Sequence, residues 1–290
     1  MRVFVTGGTG YVGAHIVRRL TLDGHEVVVL TRDRAAALNP PNTTVVEGSL
    51  ESVESYAHEL SGCDACIHNA ILWDEEPTEL QLKDPRASIA LFEAAAAASV
   101  KQFIYTSSVA VHRPFKMKMS EDDKLTPTDM YGATKAVTEV LLSALSHSHQ
   151  MRFNVVRPGP VIGRAVIGMP NCDGRFMKFI ELGRSGQDII VAKDDSRQFI
   201  AVTDLANVFE VLLDSDKTRE TYIAVSEDLI TWQSTAEAII KMTNSTGNII
   251  HDGVPVPHSF SVDKLTRELG MSFQASPHME EHIRNLVGLV

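Results

Sequence analysis

Short apolar runs alternate with longer stretches of helical character over the first 160 residues. The apolar runs predict strands at residues 3–5, 25–30, 43–47, 65–68, 102–106 and 153–157. The stretches between them predict helices at residues 11–22, 34–38, 54–60, 86–100 and 131–146. Such alternation is typical of an α/β protein whose parallel sheet carries helices on both faces. We therefore predict a doubly wound parallel sheet with right-handed crossovers.

Three glycines separate the first predicted strand from the first predicted helix. Gly7, Gly10 and Gly13 have the spacing Gly-x-x-Gly-x-x-Gly. One glycine permits a tight turn, one lets the backbone approach a diphosphate, and one lets the helix pack against its strand. The backbone N–H groups at the helix start, around Tyr11 and Val12, attract phosphate. The pattern predicts dinucleotide binding, and the alternative is a glycine turn with only a structural role.

The alternation becomes irregular after residue 163. Further helices are predicted at residues 176–184, 204–213, 234–243, 261–269 and 277–290, and strands at 189–191, 197–201 and 222–225. We expect residues 1–160, completed by about 198–225, to form the dinucleotide-binding domain. Residues 161–197 and 226–290 are expected to form a small C-terminal α/β lobe that binds the substrate.

The end of the second predicted strand indicates which dinucleotide is bound. NAD-specific sites usually place a carboxylate there for the 2′-hydroxyl of the ribose, and this chain has Thr31. Arg32 follows, and a guanidinium can pair with a 2′-phosphate through a planar fork. We therefore predict NADP(H) as the preferred cofactor, with NAD(H) as the alternative. In a second interpretation Arg32 and Arg34 are solvated charges.

Further cofactor contacts are predicted where other strands end, because ligands of open α/β sheets bind at the carboxyl ends of the strands. Ser49 and Leu50 follow the third strand, near the expected adenine pocket. Asn69 and Ala70 follow the fourth strand, and small residues there let a cofactor lie across the strand end.

Tyr131 and Lys135 are four residues apart on one face of a predicted helix. A lysine cation near a tyrosine lowers the pKa of the phenol, which makes it a better acid–base group at neutral pH. Ser108, at the end of another strand, can donate a second hydrogen bond to a substrate oxygen. This set suits carbonyl reduction or alcohol oxidation with a nicotinamide cofactor. The alternative is a tyrosine–lysine pair on the protein surface.

Together these segments resemble the extended short-chain dehydrogenase/reductase family, an epimerase/dehydratase-like group with a Rossmann fold. The motifs are Thr6-Gly-Gly-Thr-Gly-Tyr-Val-Gly13, Tyr105-Thr-Ser-Ser108, Tyr131-Gly-Ala-Thr-Lys135, Arg157-Pro-Gly159 and Arg197-Gln-Phe-Ile-Ala-Val-Thr-Asp204. The resemblance implies that Ser108, Tyr131 and Lys135 are catalytic, and from its position near Tyr131 we expect Lys135 also to hold the nicotinamide ribose. It further implies that Pro158 and Gly159 lie beside the nicotinamide. A homodimer formed through the helices at 86–100 and 131–146 is also implied.

Several positions depart from the family pattern. Thr31 replaces the acid that holds the ribose, Asp84 stands where asparagine is common, and His112-Arg113 replaces a common Tyr-Gly pair. The segment Gly159-Pro-Val-Ile-Gly163 also differs from the corresponding segment of many sugar-nucleotide enzymes. These departures weaken the resemblance to enzymes that act on sugar nucleotides. Arg197, however, occupies a position at which such enzymes often bind a diphosphate; its alternative role is a structural pair with Asp204 or a loop carbonyl.

Four residues are predicted to contact substrate. They are Trp73, on an irregular loop at 73–85, together with His112, Met169 and Arg197. The leading hypothesis is an NADP(H)-dependent oxidoreductase that reduces a small, partly apolar carbonyl compound, with Tyr131 as proton donor. The second is a nucleotide-sugar epimerase or dehydratase with tightly bound NAD. The third is a non-catalytic protein that senses NADP.

Composition narrows the range of partners. The formal net charge of −10 argues against nucleic acid and anionic membranes, and no stretch is apolar enough to span a bilayer. The N-terminal residues form a predicted strand and phosphate loop, so we expect no signal peptide. Three cysteines do not suggest a disulfide framework or a structural metal site, and a cytoplasmic location is expected. The expected partner is a small-molecule substrate.

Overall fold

The computed structural model describes residues 1–72, 77–167, 170 and 173–289. The strands are β1 (Arg2–Thr6), β2 (Glu26–Thr31), β3 (Thr43–Glu47), β4 (Ala65–His68), β5 (Gln102–Thr106), β6 (Arg152–Pro158), β7 (Val161–Ile162), β8 (Ile189–Val191), β9 (Ser196–Arg197), β10 (Ile200–Ala201), β11 (Glu220–Ala224), β12 (Ile230–Thr231) and β13 (Ile249–His251). The helices are α1 (Tyr11–Leu22), α2 (Pro77–Ala97), α3 (Met130–Ser146), α4 (Gly174–Arg184), α5 (Val202–Asp214), α6 (Trp232–Thr243), α7 (Asp263–Leu269) and α8 (Ser276–Leu289).

The central sheet has the strand order β11-β6-β5-β4-β1-β2-β3, and all neighbouring strands are parallel. Residues of α1 and α5 pack on one face of the sheet, and residues of α2 and α3 pack on the other. This arrangement confirms the predicted doubly wound sheet. The strand order reverses between β1 and β4, which opens a crevice at the carboxyl ends of the strands.

The inner strands are buried on both faces, as expected of a parallel sheet covered by two helical layers, whereas the edge strand β3 is largely half-buried or exposed. Every residue of β4 and β5 is buried, and so are the last five residues of β2. These strands therefore read as continuous apolar runs, which is why their positions could be predicted.

A second apolar core lies in the part of the chain that follows β6. Its largest members are the rings of Phe176, Phe199 and Trp232, which contact one another edge to face. Small pairs of strands frame it: β8 with β13, β9 with β12, and β7 with β10. The hydroxyl of Tyr11 donates to the carbonyl of Gly163 at 3.0 Å and ties α1 to the start of this region.

Four predicted elements differ from the structure. The helix predicted at 86–100 begins at Pro77, so most of the predicted irregular loop at 73–85 is helical. The helices predicted at 34–38 and 54–60 are 3₁₀ turns, Arg34–Ala36, Val53–Ser55 and Ala57–Leu60. The strand predicted at 197–201 is divided into β9 and β10. The strong helix formers between 79 and 83 outweigh the loss of one backbone hydrogen bond at Pro85, which the prediction treated as a helix boundary.

Candidate active site

A cavity of about 940 Å³ occupies the crevice at the carboxyl ends of the central strands. Its volume is at the upper end of the range for small-molecule and cofactor sites. It receives residues from the ends of β1, β2, β4, β5 and β6, from α3, and from the region after β6. The predicted site residues that line it are Gly7, Gly10, Tyr11, Val12, Arg32, Leu50, Asn69, Ala70, Ser108, Tyr131, Lys135, Pro158, Gly159 and Arg197.

The glycine loop fits a phosphate group. Gly7 has φ +71°, and a Cβ there would lie 2.8 Å from the amide nitrogen of Ala70. Gly10 precedes α1 without a side-chain cap, and the first turn of the helix contains no acidic residue. The first backbone N–H groups of α1 are therefore available to an anion, with the helix dipole in its favour.

Gly13 does not line the cavity. A Cβ at this position would lie 2.0 Å from the carbonyl oxygen of Gly7, so α1 packs directly on the turn that precedes it. Gly13 thus has the packing role of a third fingerprint glycine rather than contact with the ligand. The direct cofactor contact predicted for it is not supported by this placement.

Of the two arginines that follow β2, Arg32 lines the cavity and Arg34 does not. The Thr31 hydroxyl donates to the carbonyl of Asp33 at 2.8 Å, and the Asp33 carboxylate accepts from the amide of Ala35 at 2.9 Å. The guanidinium of Arg34 donates to the carbonyl of Val45 at 2.6 Å. Arg32 is exposed on the cavity rim, and it makes no hydrogen bond or ion pair with another described residue.

Some of the residues predicted to contact the cofactor at the ends of β3 and β4 line the cavity, and others do not. Leu50 lines it and is 7% exposed. Ala70, also in the lining, is fixed because its amide donates to the Thr6 hydroxyl at 3.2 Å. Ser49 does not line the cavity: its hydroxyl accepts from the amide of Glu51 at 3.3 Å and closes a local turn. Gly48 and Glu51 line the cavity in its place.

Ser108 and Tyr131 are brought together by a close approach of two backbones. Ser108 precedes the 3₁₀ turn Val109–His112, and its hydroxyl accepts from the amide of Ala110 at 3.1 Å. Tyr131 lies in the first turn of α3. Between them, a Cβ at Gly132 would lie 2.6 Å from the carbonyl oxygen of Ala110, so glycine allows the contact. A side-chain hydrogen bond joins Ser108 to Tyr131.

The pKa of Tyr131 is raised from its ordinary value, chiefly by burial. The hydrogen bond with Ser108 and the positive charge of Arg113 lower this pKa, but burial outweighs them. The expectation that the nearby lysine gives a net lowering is therefore wrong for this structure. With a raised pKa the phenol is protonated at neutral pH, the form from which a proton can be donated.

Lys135 lines the cavity and is buried. Its side-chain nitrogen donates to the carbonyl of Thr106 at 2.7 Å and lies 5.0 Å from the centre of the Tyr105 ring. Burial lowers the pKa of Lys135 to about 8, against a smaller raising effect from the charge of Asp84. Lys135 is only 2% exposed and is no surface residue.

Asp84 was noted in the sequence only as a departure from a family pattern. It is 1% exposed, and its carboxylate accepts from the amide of Leu72 at 2.8 Å. Burial raises the pKa of this carboxyl, and the charge of Lys135 lowers it. Asp84 is therefore part of the electrostatic surroundings of Lys135, a role that the sequence pattern alone did not reveal.

His112 is not a substrate contact in this structure. It is fully buried and does not line the cavity. A hydrogen bond of 2.9 Å joins its Nε2 to the guanidinium of Arg157, which also forms a buried ion pair with Glu139. The 3₁₀ turn directs this side chain inward, so the prediction based on its position after β5 is wrong.

Arg197 lines the cavity and is also held by its own loop. Its guanidinium pairs with Asp195 at 2.7 Å and donates to the carbonyl of Ser196 at 2.8 Å. Asp195 also pairs with Arg175 at 2.9 Å. The predicted partner Asp204 lies instead 3.8 Å from His278. Trp73 and Met169, the other predicted substrate contacts, lie outside the described residues.

Two segments that are distant in the chain contribute lining residues that were not predicted as site residues. They are Arg113 and Phe115 in the first segment and His258 and Phe260 in the second. Nothing in the sequence pattern of the second segment indicated that it folds back to the cavity. Among the described residues there is no cluster of three potential metal ligands and no helix of the length and apolarity needed to cross a membrane.

Comparison with known proteins identifies the family. The sequence model of the NAD-dependent epimerase/dehydratase family matches residues 3–224. UDP-glucose 4-epimerase from Lactobacillus helveticus is 29% identical over 180 residues, which are 58% of this chain and 54% of that relative. This chain thus spans about half the length of that curated relative.

Two solved structures share the fold over almost their whole length. UDP-N-acetylglucosamine 4-epimerase from Methanobrevibacter ruminantium M1, in complex with UDP-N-acetylmuramic acid, superposes with a TM-score of 0.81 at 23% identity, covering 100% of this chain and 99% of that one. MoeE5, in complex with UDP-glucuronic acid and NAD, gives a TM-score of 0.81 at 21% identity and covers 100% of both chains. With the glycine loop and the Ser108–Tyr131–Lys135 arrangement, the family match leads to one conclusion. The chain belongs to the NAD-dependent epimerase/dehydratase family, the extended short-chain dehydrogenase/reductases with a Rossmann fold.

Proposed function

We propose that this protein is a nucleotide-sugar epimerase or dehydratase that uses a nicotinamide dinucleotide. The observation that carries the proposal is the family match over residues 3–224, combined with a cavity lined by both Tyr131 and Arg197. The relatives named above are 4-epimerases or bind nucleotide sugars. This is the second of the hypotheses drawn from the sequence.

Residues at different positions along the cavity would bind the cofactor, transfer the proton and bind the substrate. The amides at the start of α1 would bind the diphosphate of the dinucleotide, and Lys135 would hold the nicotinamide ribose. When bound, the dinucleotide supplies reversible hydride transfer. Tyr131 moves the proton to or from the substrate oxygen, and Ser108 donates a hydrogen bond to that oxygen. Arg197 would pair with a phosphate of the substrate.

The test is product analysis after incubation of the purified protein with UDP-glucose, UDP-galactose and added NAD or NADP. Chromatography and NMR would identify an epimer or a 4-keto-6-deoxy sugar. We expect conversion that is lost in Tyr131→Phe. Failure to convert any nucleotide sugar, with cofactor bound, would contradict the proposal. Cofactor that copurifies with the protein would support it, because epimerases regenerate their cofactor in each cycle.

A second candidate, the NADP(H)-dependent reduction of a small carbonyl compound, is favoured by two observations. Arg32 lines the cavity just after β2, where a 2′-phosphate would lie, and is unpaired among the described residues, while the Asp33 carboxylate accepts from the amide of Ala35. The raised pKa of Tyr131 favours the protonated phenol that reduction requires. NADPH oxidation with a panel of ketones and aldehydes, without conversion of nucleotide sugars, would establish this candidate. A panel without any hydride exchange would instead favour the NADP sensor.

We also propose a homodimer. The face of α3 directed away from the sheet exposes Val137, Val140 and Leu141, at 48%, 56% and 38%. An apolar stripe on a helix that is already packed against α2 is typical of a subunit interface.

A further inference from the structure

Arg113 lies at the reacting end of the cavity. It lines the cavity together with Ser108 and Tyr131. Its guanidinium pairs with Asp129, the N-cap of α3, whose other carboxylate oxygen accepts from the amide of Gly132 at 2.8 Å. This pair places the cation beside the first turn of α3, the turn that carries Tyr131. The charge of Arg113 accordingly acts on the phenol of Tyr131.

Most of the hydrogen-bonding capacity of Arg113 is unused by the described residues. A guanidinium has five N–H donors, and only one nitrogen, Nη1, bonds to Asp129. The side chain is 45% exposed, and Arg113 lines the cavity. The carboxylates that line the described part of the cavity are those of Glu51 and Asp173. Neither is paired with Arg113.

The guanidinium of Arg113 also contacts an aromatic wall. We use this name for Phe115, His258 and Phe260, whose ring centres lie 4.8 to 6.0 Å apart. The guanidinium carbon of Arg113 lies 5.5 Å from the centre of the Phe115 ring, within the range of a cation–π contact. An ion pair and a ring contact together limit the rotamers of Arg113, so little side-chain entropy remains to be lost on binding.

The wall is itself held by backbone hydrogen bonds between its two segments. The amide of Met119 donates to the carbonyl of Ser259 at 2.8 Å, and the amide of Ser261 donates to the carbonyl of Met119 at 2.7 Å. The amide of Ser259 donates to the carbonyl of Lys116 at 3.2 Å. The loop that carries Arg113 is thus anchored to the C-terminal part of the chain.

We propose that Arg113 is a specificity-determining residue that binds a substrate carboxylate one or two bonds from the carbon at which the substrate exchanges hydride. A planar fork with free N–H donors matches a carboxylate through two parallel hydrogen bonds. The substrate class is therefore a carboxylic acid whose acid group is attached to the reacting carbon or to the carbon beside it. The inference rests on the proposed hydride-transfer function of the cavity, and it distinguishes acidic substrates from neutral ones of the same shape.

Two sources of such an acid are tested separately. UDP-glucuronic acid and UDP-glucose differ only in whether the sixth carbon of the sugar is a carboxylate or a carbinol. Phenylpyruvate and its methyl ester form the corresponding pair without a nucleotide. Binding of each compound to the protein saturated with NADP or NAD is measured by titration calorimetry, which does not depend on turnover. We expect the acid of at least one pair to bind ten-fold or more tightly than its neutral partner.

Variants then assign the preference to Arg113. Arg113→Met and Arg113→Gln should both abolish it, and Arg113→Gln retains a hydrogen-bond donor toward Asp129 in case the methionine variant fails to fold. Lys116→Met is the matched control, because it removes one exposed positive charge from the same loop without changing the cavity lining. This control should keep the preference.

The outcomes separate the inference from the proposed function. Equal binding of UDP-glucose and UDP-glucuronic acid, with no acid preference in the second pair, overturns the inference and leaves the nucleotide-sugar function intact. An acid preference in the phenylpyruvate pair alone, lost in both Arg113 variants, supports the inference and favours the carbonyl-reductase candidate, whereas the nucleotide-sugar function is contradicted only when no nucleotide sugar is converted. A preference that survives in Arg113→Gln, or that disappears in Lys116→Met, overturns the inference.

Discussion

At the scale of single residues, burial determines the proton chemistry of this site. Tyr131 and Lys135 are adjacent on one helical face, yet burial raises the pKa of the phenol and lowers that of the ammonium group. Both shifts favour the neutral form, as expected when a group is removed from water. The charges of Arg113 and Asp84 oppose these shifts at Tyr131 and Lys135, respectively.

Replacement of the phenol tests its role. Tyr131→Phe should reduce turnover by about 10²–10⁴-fold, the usual contribution of a general acid or base. Cofactor affinity should remain close to that of the wild type. Tyr222→Phe is the control, because that hydroxyl bonds to Glu268 and lies outside the cavity lining. Initial rates and cofactor titrations are the measurements, and a fully active Tyr131→Phe variant would exclude the mechanism.

Arg32 provides a test of cofactor choice. Arg32→Ala should weaken NADPH binding ten-fold or more, about 1.4 kcal/mol, and leave NADH binding nearly unchanged. Arg34→Ala is the matched control because Arg34 is already bonded to the carbonyl of Val45. Titration calorimetry with each cofactor gives the four affinities. Equal losses for NADPH and NADH in Arg32→Ala would show that Arg32 does not bind the 2′-phosphate.

Lys135 should make stability depend on pH in a characteristic direction. Its folded pKa of about 8 lies below its ordinary value of 10.5, so between these values the unfolded chain binds more protons and stability rises with pH. Below pH 8 the buried charge imposes a constant cost, on the order of 3 kcal/mol. Relative to the wild type, Lys135→Met should therefore lose about 2 kcal/mol of stability between pH 7 and 9.5.

Denaturant unfolding at both pH values measures this difference. The exposed Lys116→Met variant, which removes a lysine outside the cavity lining, is measured alongside as the control. A pH-independent difference for Lys135→Met would contradict the lowered pKa of Lys135.

At the scale of elements, the buried strands and the glycine turn could be predicted, and short strands such as β12 and β13 could not. β3, β4 and β5 begin and end where the apolar pattern places them. β12 and β13 have two and three residues, too few to show a periodicity, and only contacts with β9 and β8 form them. The same limit explains His112, because alternation cannot indicate which way a 3₁₀ turn directs a side chain.

The residues of the candidate site likewise fall into those that could be predicted from the sequence and those that could not. Ser108, Tyr131 and Lys135 follow motifs with local geometry and could be placed from the sequence. His258 and Phe260 reach the cavity through pairing with a loop about 140 residues earlier, and no local pattern encodes that pairing. Ser49, which was predicted to contact the cofactor, does not line the cavity, because its hydroxyl closes a local turn.

The contact between α1 and its turn is also testable. Gly13→Ala places a Cβ 2.0 Å from the carbonyl oxygen of Gly7, so the helix must shift. We expect the free energy of unfolding to fall by about 2 kcal/mol and cofactor affinity to fall with it. Gly174→Ala is the control, because a Cβ there meets nothing within 4 Å. Denaturant unfolding and cofactor titration are the measurements, and wild-type behaviour of Gly13→Ala would show that α1 does not need this close approach.

At the scale of the whole molecule, the cavity joins two structural regions for which we propose different tasks. The proposed dinucleotide end is built by the strand ends and the start of α1, and the proposed substrate end by Arg113, the aromatic wall and Arg197. Seven parallel strands give the first region a rigid frame. Variation of the second region can therefore change the substrate without changing the cofactor site.

The proposed dimer is tested on the exposed face of α3. Val140→Glu should convert the dimer to a monomer at micromolar concentration, since it places a charge in an apolar interface. Val254→Glu is the control: this residue is 87% exposed but lies far along the chain, between β13 and the aromatic wall. Light scattering gives the mass of each variant. A wild-type protein that is already monomeric would refute the proposed interface.

The pairing of the loop around Met119 with the segment around Ser259 also sets an order of completion during synthesis. A ribosome releases the N-terminal part of a chain first, and domains begin to fold as they emerge. The residues proposed to bind the dinucleotide have all been made once Gly159 is added, and the strands of the central sheet once Ala224 is added, which is still before Phe260. At that stage the growing chain possesses the parts for a nucleotide but only Phe115 of the three rings of the wall. Recognition of the proposed cofactor can therefore precede synthesis of the C-terminal segment, and the proposed chemistry must await that segment.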